Sequence, residues 1–421
     1  MSSKWFADKK KINSFLSFKY IPEKNIELPE EIIKSCSKSV MVDHDRSGLI
    51  EKGKKALEDG FEKFFSKYPK DMKFVVPLSG GLDSRAILGF LINNVQEERI
   101  ITFTVGTPGT LDYEIGKKVA KKADVNNYMI NCTPNKFPWT EKFLLKSAKK
   151  YERPTELFRM GDVSWFSQEF FDKKFEEEYV FLTGYLGGEL AGSHVPKEKS
   201  KSWKESINNF LKNNYYYPDL TSDDFNPKSV LPDDPLVNKD ILNFDEQLDF
   251  GIRQRYYIRP SIVFNENVKT PFVSEPWLNF ILNIPNKYKR YRNLYRDIIK
   301  SLYPDIFSIG VSTNVGLPLS TNPIYHELYR KYINFYEKIK TILGYNHPKF
   351  TTYFFDWDVE LRRSNSFFKM VNKQLTDLKK RSSVGWLDPC RFLNKHLKGV
   401  NYGKEIKILT SLEIFLKAEK N

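Results

Sequence analysis

The chain has 421 residues, 40% hydrophobic and 15% aromatic, which describes a well-filled globular protein: one large α/β domain with an appendage, or two or three smaller domains. Lys and Arg exceed Asp and Glu by 67 to 53, a formal charge of +14, but the lysines are dispersed through helical stretches rich in Asn, Ile, Phe and Tyr, which favours a solvated basic face over a nucleic-acid footprint. Cys36, Cys132 and Cys390 lie far apart with no Cys-x-x-Cys pairing, no apolar run approaches the ~20 residues of a membrane span, and Met1-Ser2-Ser3-Lys4-Trp5-Phe6 carries charge where a signal peptide needs apolar residues; a soluble protein of the reducing cytoplasm is expected.

Along the chain, Asn13 to Glu23 reads as an amphipathic lead-in. Leu57, Phe61, Phe64 and Phe65 recur at helical spacing between about Gly53 and Tyr68. A first apolar strand covers residues 74–78 and is followed by Ser79-Gly80-Gly81-Leu82-Asp83-Ser84-Arg85 and a buried helix through Ala86 to Leu91. Arg99 to Gly106 reads as a second strand, and a helix then runs from Asp112, read as its N-cap, through Ile115, Val119, Ala120 and Ala123. Asn127 to Asn131 and Tyr179 to Thr183 read as third and fourth strands. Strands alternating with helices predict a doubly wound parallel sheet with its ligand at the carboxyl ends of the strands, where Ser79-Gly80-Gly81, Gly106-Thr107 and Thr183-Gly184 would cluster. Residues 195–250 are polar and irregular, with Lys197 to Lys201 and Asn213 to Pro218 as loops between short helices. From about 250 onward the pattern is mainly helical, punctuated by Pro271, Pro285, Pro304 and Pro318. These shifts divide the chain into a lead-in at 1–70, an α/β domain at 71–320 and a helical region at 321–421 packed on it.

The turn after the first strand is the most informative segment. Gly80 and Gly81 permit close backbone approach, so successive N–H groups and the following helix N-terminus can converge on an anion. Ser79 and Ser84 add hydroxyl donors, and Asp83 is an oxygen ligand suited to the Mg²⁺ that accompanies a nucleotide. The Gly-Lys-Ser/Thr ending of a Walker loop and the three spaced glycines of a dinucleotide fingerprint are both absent. The segment resembles instead the Ser-Gly-Gly-x-Asp-Ser signature of the ATP pyrophosphatases, which cleave ATP between the α- and β-phosphates.

Further segments narrow the resemblance to the synthetase domain of the asparagine synthetase family, which includes β-lactam-forming and macrolactam-forming relatives. Thr102 to Gly106 with Asp112-Tyr113-Glu114 is similar to the family's adenine-side strand and following helix, and Glu152-Arg153-Pro154 to its acidic-x-Pro element. Leu182-Thr183-Gly184-Tyr185-Leu186-Gly187-Gly188-Glu189-Leu190-Ala191-Gly192 resembles Leu-Ser-Gly-Glu-Gly-x-Asp-Glu-Leu-x-Gly. Lys269-Thr270-Pro271-Phe272 resembles Arg-x-Pro-Phe, and Arg292 to Arg296 resembles Lys-x-x-Leu-Arg with Tyr295 in place of leucine. Leu387-Asp388-Pro389, His396, Gly399 and Ser411-Leu412-Glu413 also fit the family's C-terminal helices.

The resemblance implies that Ser79, Gly80, Gly81 and Ser84 hold pyrophosphate, Asp83 a Mg²⁺, and the backbone near Leu78, Val105, Thr183 and Gly184 the adenosine. It implies an AMP-forming ligase in which a substrate carboxylate is adenylated and then trapped by ammonia or an amine. Complete asparagine synthetases begin with a glutaminase whose cysteine follows the initiator methionine; this chain has Ser2 there, so nitrogen is expected from ammonia, a separate glutaminase or a substrate amine, and Asn13 to Glu23 either resembles the family's connector between the two domains or is a simple amphipathic lead-in.

Gly188 stands where the family has its second metal-binding Asp, Tyr185 at a catalytic Glu, and Asn314 near a charge-steadying lysine, a loss worth several kcal/mol that Arg292, Arg296 or Lys269 would have to replace. Glu189 is retained, as a metal ligand or as a structural acid. The altered positions Tyr185, Gly188, Asn267, Ser274 and Asn314 argue against aspartate and toward a larger acid such as a uronic acid or a biosynthetic intermediate. Two other readings keep the nucleotide: a tRNA-modifying ATP pyrophosphatase drawing on the basic charge, and an inactive nucleotide-binding homologue.

Overall fold

The computed structural model describes residues 5–36, 45–175, 178–194, 196, 198–263, 265–344 and 347–420. Ser2 and Lys197 lie outside the described residues. Five strands form one parallel sheet in the order β3-β2-β1-β4-β5: β1 is Lys73–Pro77, β2 Ile100–Gly106, β3 Asn127–Asn131, β4 Tyr179–Leu182 and β5 Val268–Lys269. Phe74 to Pro77 run in register with Ile100 to Phe103 on one side, and Lys73 to Val75 with Tyr179 to Phe181 on the other.

Successive side chains of a strand point to opposite faces, and both faces are covered. Phe74, Val76, Leu78, Val180 and Leu182 join a core with Leu57 and Phe61 of the Arg46–Phe65 helix, Ile87 and Leu91 of the Asp83–Asn94 helix, and Trp277, Leu294 and Ile298 further on. Val75, Ile101, Phe103, Val105 and Phe181 face a second core built with Phe171 and with Phe367, Leu375, Leu409 and Leu412 of the Asn365–Lys379 and Gly403–Ala418 helices. The C-terminal helices therefore share one layer of the α/β sandwich with the Lys9–Phe18, Glu141–Lys150 and Met160–Lys174 helices, a doubly wound arrangement consistent with an adenine nucleotide α-hydrolase fold.

Strand order places the site. The chain leaves β1 toward β2 and β3, then returns to add β4 and β5 on the other flank, so the loops after β1 and β4 diverge from adjacent strands. That topological switch point opens a crevice at the carboxyl edge, where open α/β sheets bind ligands. Among the described residues, no helix is long and apolar enough to cross a membrane.

The fold departs from the sequence reading at three elements. The 111–123 helix begins at Leu111 with Thr110 in the extended N-cap position, so Asp112 lies in the first turn and is not the cap. A fifth strand of two residues, too short for any periodicity, joins the sheet at Val268–Lys269. Within 195–250 the Trp203–Asn214 helix is three turns long, capped by Ser202, whose side chain accepts the Glu205 N–H.

Candidate active site

The loop after β1 leads into the Asp83–Asn94 helix, whose N-cap residue, Leu82, makes no side-chain capping bond. Its first-turn N–H groups thus form a donor end suited to an anion. Ser79 and Ser84 sit together, with their hydroxyl oxygens 3.3 Å apart and the Ser79 N–H donating to Ser84 Oγ at 3.2 Å. The Gly81 N–H donates to Ser79 Oγ at 3.1 Å. The Gly80 N–H is not free for a ligand: it donates to Asp112 Oδ1 at 3.1 Å, which gives Asp112 a role in shaping this loop.

Two further elements clamp the loop. Ser312 N–H donates to the Gly80 carbonyl at 2.8 Å, and the fully buried Arg85 guanidinium donates to the carbonyls of Gly80 (3.2 Å), Ile309 (3.1 Å) and Gly310. Burial pulls the Arg85 pKa down to about 9, against the pull of Asp112. Asn314, near the position of the family's lysine, is buried, and its amide donates to the carbonyls of Leu317 (3.3 Å) and Pro318 (2.7 Å). It holds its own turn and offers no charge to a reaction.

Asp83 lies between the two loops. A Cβ on Gly184 would come within 2.7 Å of Asp83 Cβ, and one on Gly187 within 2.7 Å of Asp83 Cγ and Oδ1, so the β4 loop packs on this carboxylate with no room for side chains. Asp83 Oδ1 accepts the Tyr295 hydroxyl at 2.9 Å. Burial and the neighbouring Glu189 push the Asp83 pKa up to about 6, while Arg292, Tyr295 and the Gly188 N–H oppose the rise. Asp112 is likewise pushed to about 6 by burial, against bonds from Ser312 and the Gly80 N–H and the charge of Arg85.

At the altered position Gly188 the space is taken. A Cβ there would stand 3.1 Å from Arg292 Nη1 and 3.3 Å from Asp83 Oδ2. The guanidinium of Arg292 thus occupies the ground that an aspartate at 188 would use. Arg292 and Tyr291 hold left-handed backbone (φ 59° and 53°), as do Leu186 in the β4 loop (φ 66°) and Val315 in the 310–318 turn (φ 54°). Four of the seven non-glycine residues with positive φ among the described residues border this crevice, where such strain is found when the surroundings fix a functional geometry.

The other sequence-chosen residues divide. Tyr185 is buried; its carbonyl accepts the Thr270 hydroxyl at 2.7 Å, and burial with the nearby Glu189 holds its phenol far above the usual range. Thr183 is buried, donates its N–H to the Lys269 carbonyl at 2.9 Å, and accepts the Tyr185 N–H at 3.3 Å. The Leu78 carbonyl accepts the Thr104 hydroxyl at 3.0 Å, and Val105 lies buried in β2 beside it. Arg296 lines an adjacent cavity of about 340 Å³ with Asn314 and His326, its pKa lowered by burial and by Arg292. Lys269 is exposed at the sheet edge.

A strap from the C-terminal part, unseen in the sequence, closes the β2 side. The carbonyls of Thr352, Tyr353 and Phe354 accept the N–H groups of Leu111, Asp112 and Thr107, each at 2.9 Å. Tyr353 feels both Asp112 and Arg292, and burial raises its pKa. Beneath the strap, Thr107 Oγ1 is buried without a hydrogen-bond partner, a polar atom that a ligand can satisfy.

An α/β sheet of this order, with an uncapped serine-glycine helix entry and a carboxylate enclosed by the loops after β1 and β4, is consistent with the adenine nucleotide α-hydrolase class of fold. Residues 67–233 match the family model for asparagine synthase, and this stretch of the chain is an asparagine synthase domain, which implies an ATP-dependent carbon–nitrogen ligase. The match takes in both loops and ends before Lys269, Arg292 and Arg296. No curated protein matches the chain.

Magnesium fits the residues present. Among the described residues no three acidic, His or Cys side chains gather into a metal cage, whereas Mg²⁺ is commonly held by one or two carboxylates with substrate phosphates completing the shell. Asp83 supplies such a carboxylate beside the helix entry. Glycine packing here is testable: Gly187→Ala is expected to weaken Mg-ATP binding at least ~10-fold by displacing Asp83, whereas a Cβ at Gly188 comes no closer than 3.1 Å to the flexible end of Arg292 and 3.3 Å to Asp83 Oδ2, so Gly188→Ala leaves affinity within ~3-fold, as read by calorimetric titration.

Proposed function

We propose that this protein is an AMP-forming amide ligase that adenylates the carboxylate of a substrate larger than aspartate and transfers ammonia or an amine to the acyl group. The observation that carries this reading is the placement of Asp83 between the Ser79–Ser84 turn and the Gly184–Gly188 loop. ATP lies across the switch-point crevice, with adenosine toward Leu78, Val105 and Gly184 and phosphates on Ser79, Gly81 and Ser84, Gly80 being held by Asp112 as part of the loop's frame. Mg²⁺, bound by Asp83, supplies charge neutralisation at the phosphates. The carboxylate oxygen attacks the α-phosphorus, the bond to the bridging oxygen breaks, and pyrophosphate leaves. The amine then attacks the acyl carbon and expels AMP, its proton passing to solvent or to an acid–base group beside the acyl group. Arg292 and Arg296 steady the departing negative charge; Tyr185 and Glu189 face the acyl side. Catalysis at phosphorus is chiefly positioning and charge stabilisation.

The acid enters a polar cavity of about 350 Å³ lined by His194, Asn209, Asn213, Tyr216, Asp249 and Arg253. It opens just past the β4 loop, and the wide-turned π-helix Asp249–Ile258 supplies its Asp249 and Arg253, an unusual winding often found at functional sites. Asp249 Oδ1 is 3.4 Å from His194 Nδ1 and 3.6 Å from Arg253 Nη1. Burial would raise the Asp249 pKa, but His194, Arg253 and the Gln254 amide hold it low. A polyhydroxylated acid such as a uronic acid matches this amide- and hydroxyl-rich lining. The nitrogen is free ammonia, the product of a separate glutaminase, or a substrate amine.

The test is pyrophosphate release with Mg-ATP, a panel of uronic and other polyfunctional acids, and ammonia or amines. Turnover with one acid, and a KM for that acid raised ~10-fold or more in Arg253→Ala with the KM for ATP unchanged, is the expected result. Mg-ATP binding without turnover on any acid–amine pair would assign the chain to inactive nucleotide-binding homologues; salt-sensitive tRNA retention with tRNA-dependent pyrophosphate release would assign it to tRNA modification.

A further inference from the structure

We propose that the outer face of the Pro323–Ile342 helix is a homotypic docking surface, on which a second copy of this chain lays the same helix antiparallel. Tyr325, Leu328, Tyr332, Phe335, Ile339 and Ile342 follow one another at alternating steps of three and four residues, and are between 37% and 73% exposed. That spacing is the seam of a two-helix coiled coil, an a/d pattern sustained over nearly three heptads with no charged residue in it. Among the described residues of this helix, only Ile333 and Glu337 are buried. Glu337 accepts the Phe350 N–H at 2.9 Å, so the helix is tied down along its inner side and presents its apolar side outward. Tyr325, Tyr329, Tyr332 and Tyr336 form a ladder of rings 6.1, 6.5 and 6.4 Å apart.

The area suits a dimer. Ile324, Tyr336 and Leu343 extend the exposed stripe to nine side chains; since a large aromatic carries ~150–250 Å², the patch amounts to roughly 1,000 Å². Ordinary monomers expose patches of ~300–600 Å², and a standard interface takes ~800 Å² from each partner. The stripe is also complementary to itself. Run antiparallel, it sets Tyr325 against Ile342, Leu328 against Ile339 and Tyr332 against Phe335, each contact repeated by the twofold axis. Lys331 beside the seam is already paired with Glu327 at 3.0 Å, which blunts repulsion between the two copies. Pro323 and His326 at the start of the helix line the cavity that holds Arg296, so the partner copy's Leu343 end would stand at the rim of that cavity.

Sedimentation equilibrium of the full chain at micromolar concentration reads the proposal directly. The two-chain mass is expected for the native protein and the one-chain mass for Phe335→Glu, with an unchanged circular-dichroism spectrum; Tyr332→Ala, a milder change at an exposed position, should weaken the dimer. Under oxidising conditions, Tyr325→Cys mixed with Ile342→Cys should cross-link, while neither variant links to itself. A one-chain mass for the native protein, a Phe335→Glu dimer, or self-linking of either cysteine variant would overturn the antiparallel pairing. Co-sedimentation of a monomeric native protein with phosphatidylglycerol vesicles would overturn it in favour of a membrane surface.

Discussion

Asp83→Asn is expected to raise the melting temperature of the ligand-free protein by a few degrees while cutting pyrophosphate-forming turnover by ~10²–10³-fold or more. Burial and Glu189 lift the pKa of Asp83 from its ordinary 3.8 to about 6. The folded protein therefore holds this proton more tightly than the unfolded chain, and stability is lost as pH rises from about 4 through about 6, by at most ~3 kcal/mol at neutral pH. Asparagine removes that charge and keeps an acceptor for the Tyr295 hydroxyl. It weakens the bond from the Gly188 N–H, at a cost of ~1 kcal/mol, so a net gain of ~1–2 kcal/mol remains. The loss of turnover follows because an amide cannot supply the anionic ligand. Denaturation followed by calorimetry between pH 4 and 7.5 checks the sign: the native protein loses stability across that window, and Asp83→Asn shows a shallower slope, the residue coming from Asp112. Native Mg-ATP affinity runs the opposite way, rising with pH through about 6. An unchanged slope in Asp83→Asn, or retained turnover, would show that the metal carboxylate lies elsewhere.

How far this site could be read from sequence depended on whether its residues are neighbours in the chain. The entry from β1 was legible because a contiguous apolar strand, a serine-glycine turn and an apolar helix occupy one segment, and local chemistry dictates all three. The β4 loop was legible by its residue order, but the reason for its glycines was not, since the 2.7 Å approach to Asp83 exists only after β4 pairs with β1. Asp112 near the start of a helix reads as a cap in any single-sequence view; only the arrival of Gly80 from another turn reveals its other use. Arg85 looks like a motif ending, and its burial against the carbonyls of Ile306, Ile309 and Gly310 depends on residues more than two hundred positions away. The Thr352–Phe354 strap bonds through its carbonyls, which every residue type possesses, so no side-chain pattern announces it.

Arg292→Gly should separate the charge of that residue from its backbone. The guanidinium stands over Gly188 near Asp83, and its positive charge opposes the rise of the Asp83 pKa. A fall in kcat of ~10²–10³-fold is expected, the scale of losing one preorganised stabilising group, with a smaller effect on the KM for ATP. Arg292 also carries a left-handed backbone at φ 59°, which costs a side-chain-bearing residue ~1–2 kcal/mol and glycine little. Arg292→Gly is therefore expected to melt higher than Arg292→Ala, although both lose the charge. Arg292→Lys keeps a cation on a strained backbone and should recover part of kcat without the gain in stability. Because Arg292 holds the Asp83 pKa down, its loss moves the acid limb of the pH–rate profile to higher pH in the Gly and Ala variants and much less in the Lys variant. Equal kcat in all four proteins would mean that Arg296, at the neighbouring cavity, carries the charge of the departing pyrophosphate, whereas equal melting points for Gly and Ala would mean that the turn at Tyr291–Arg292 relaxes once the guanidinium is gone.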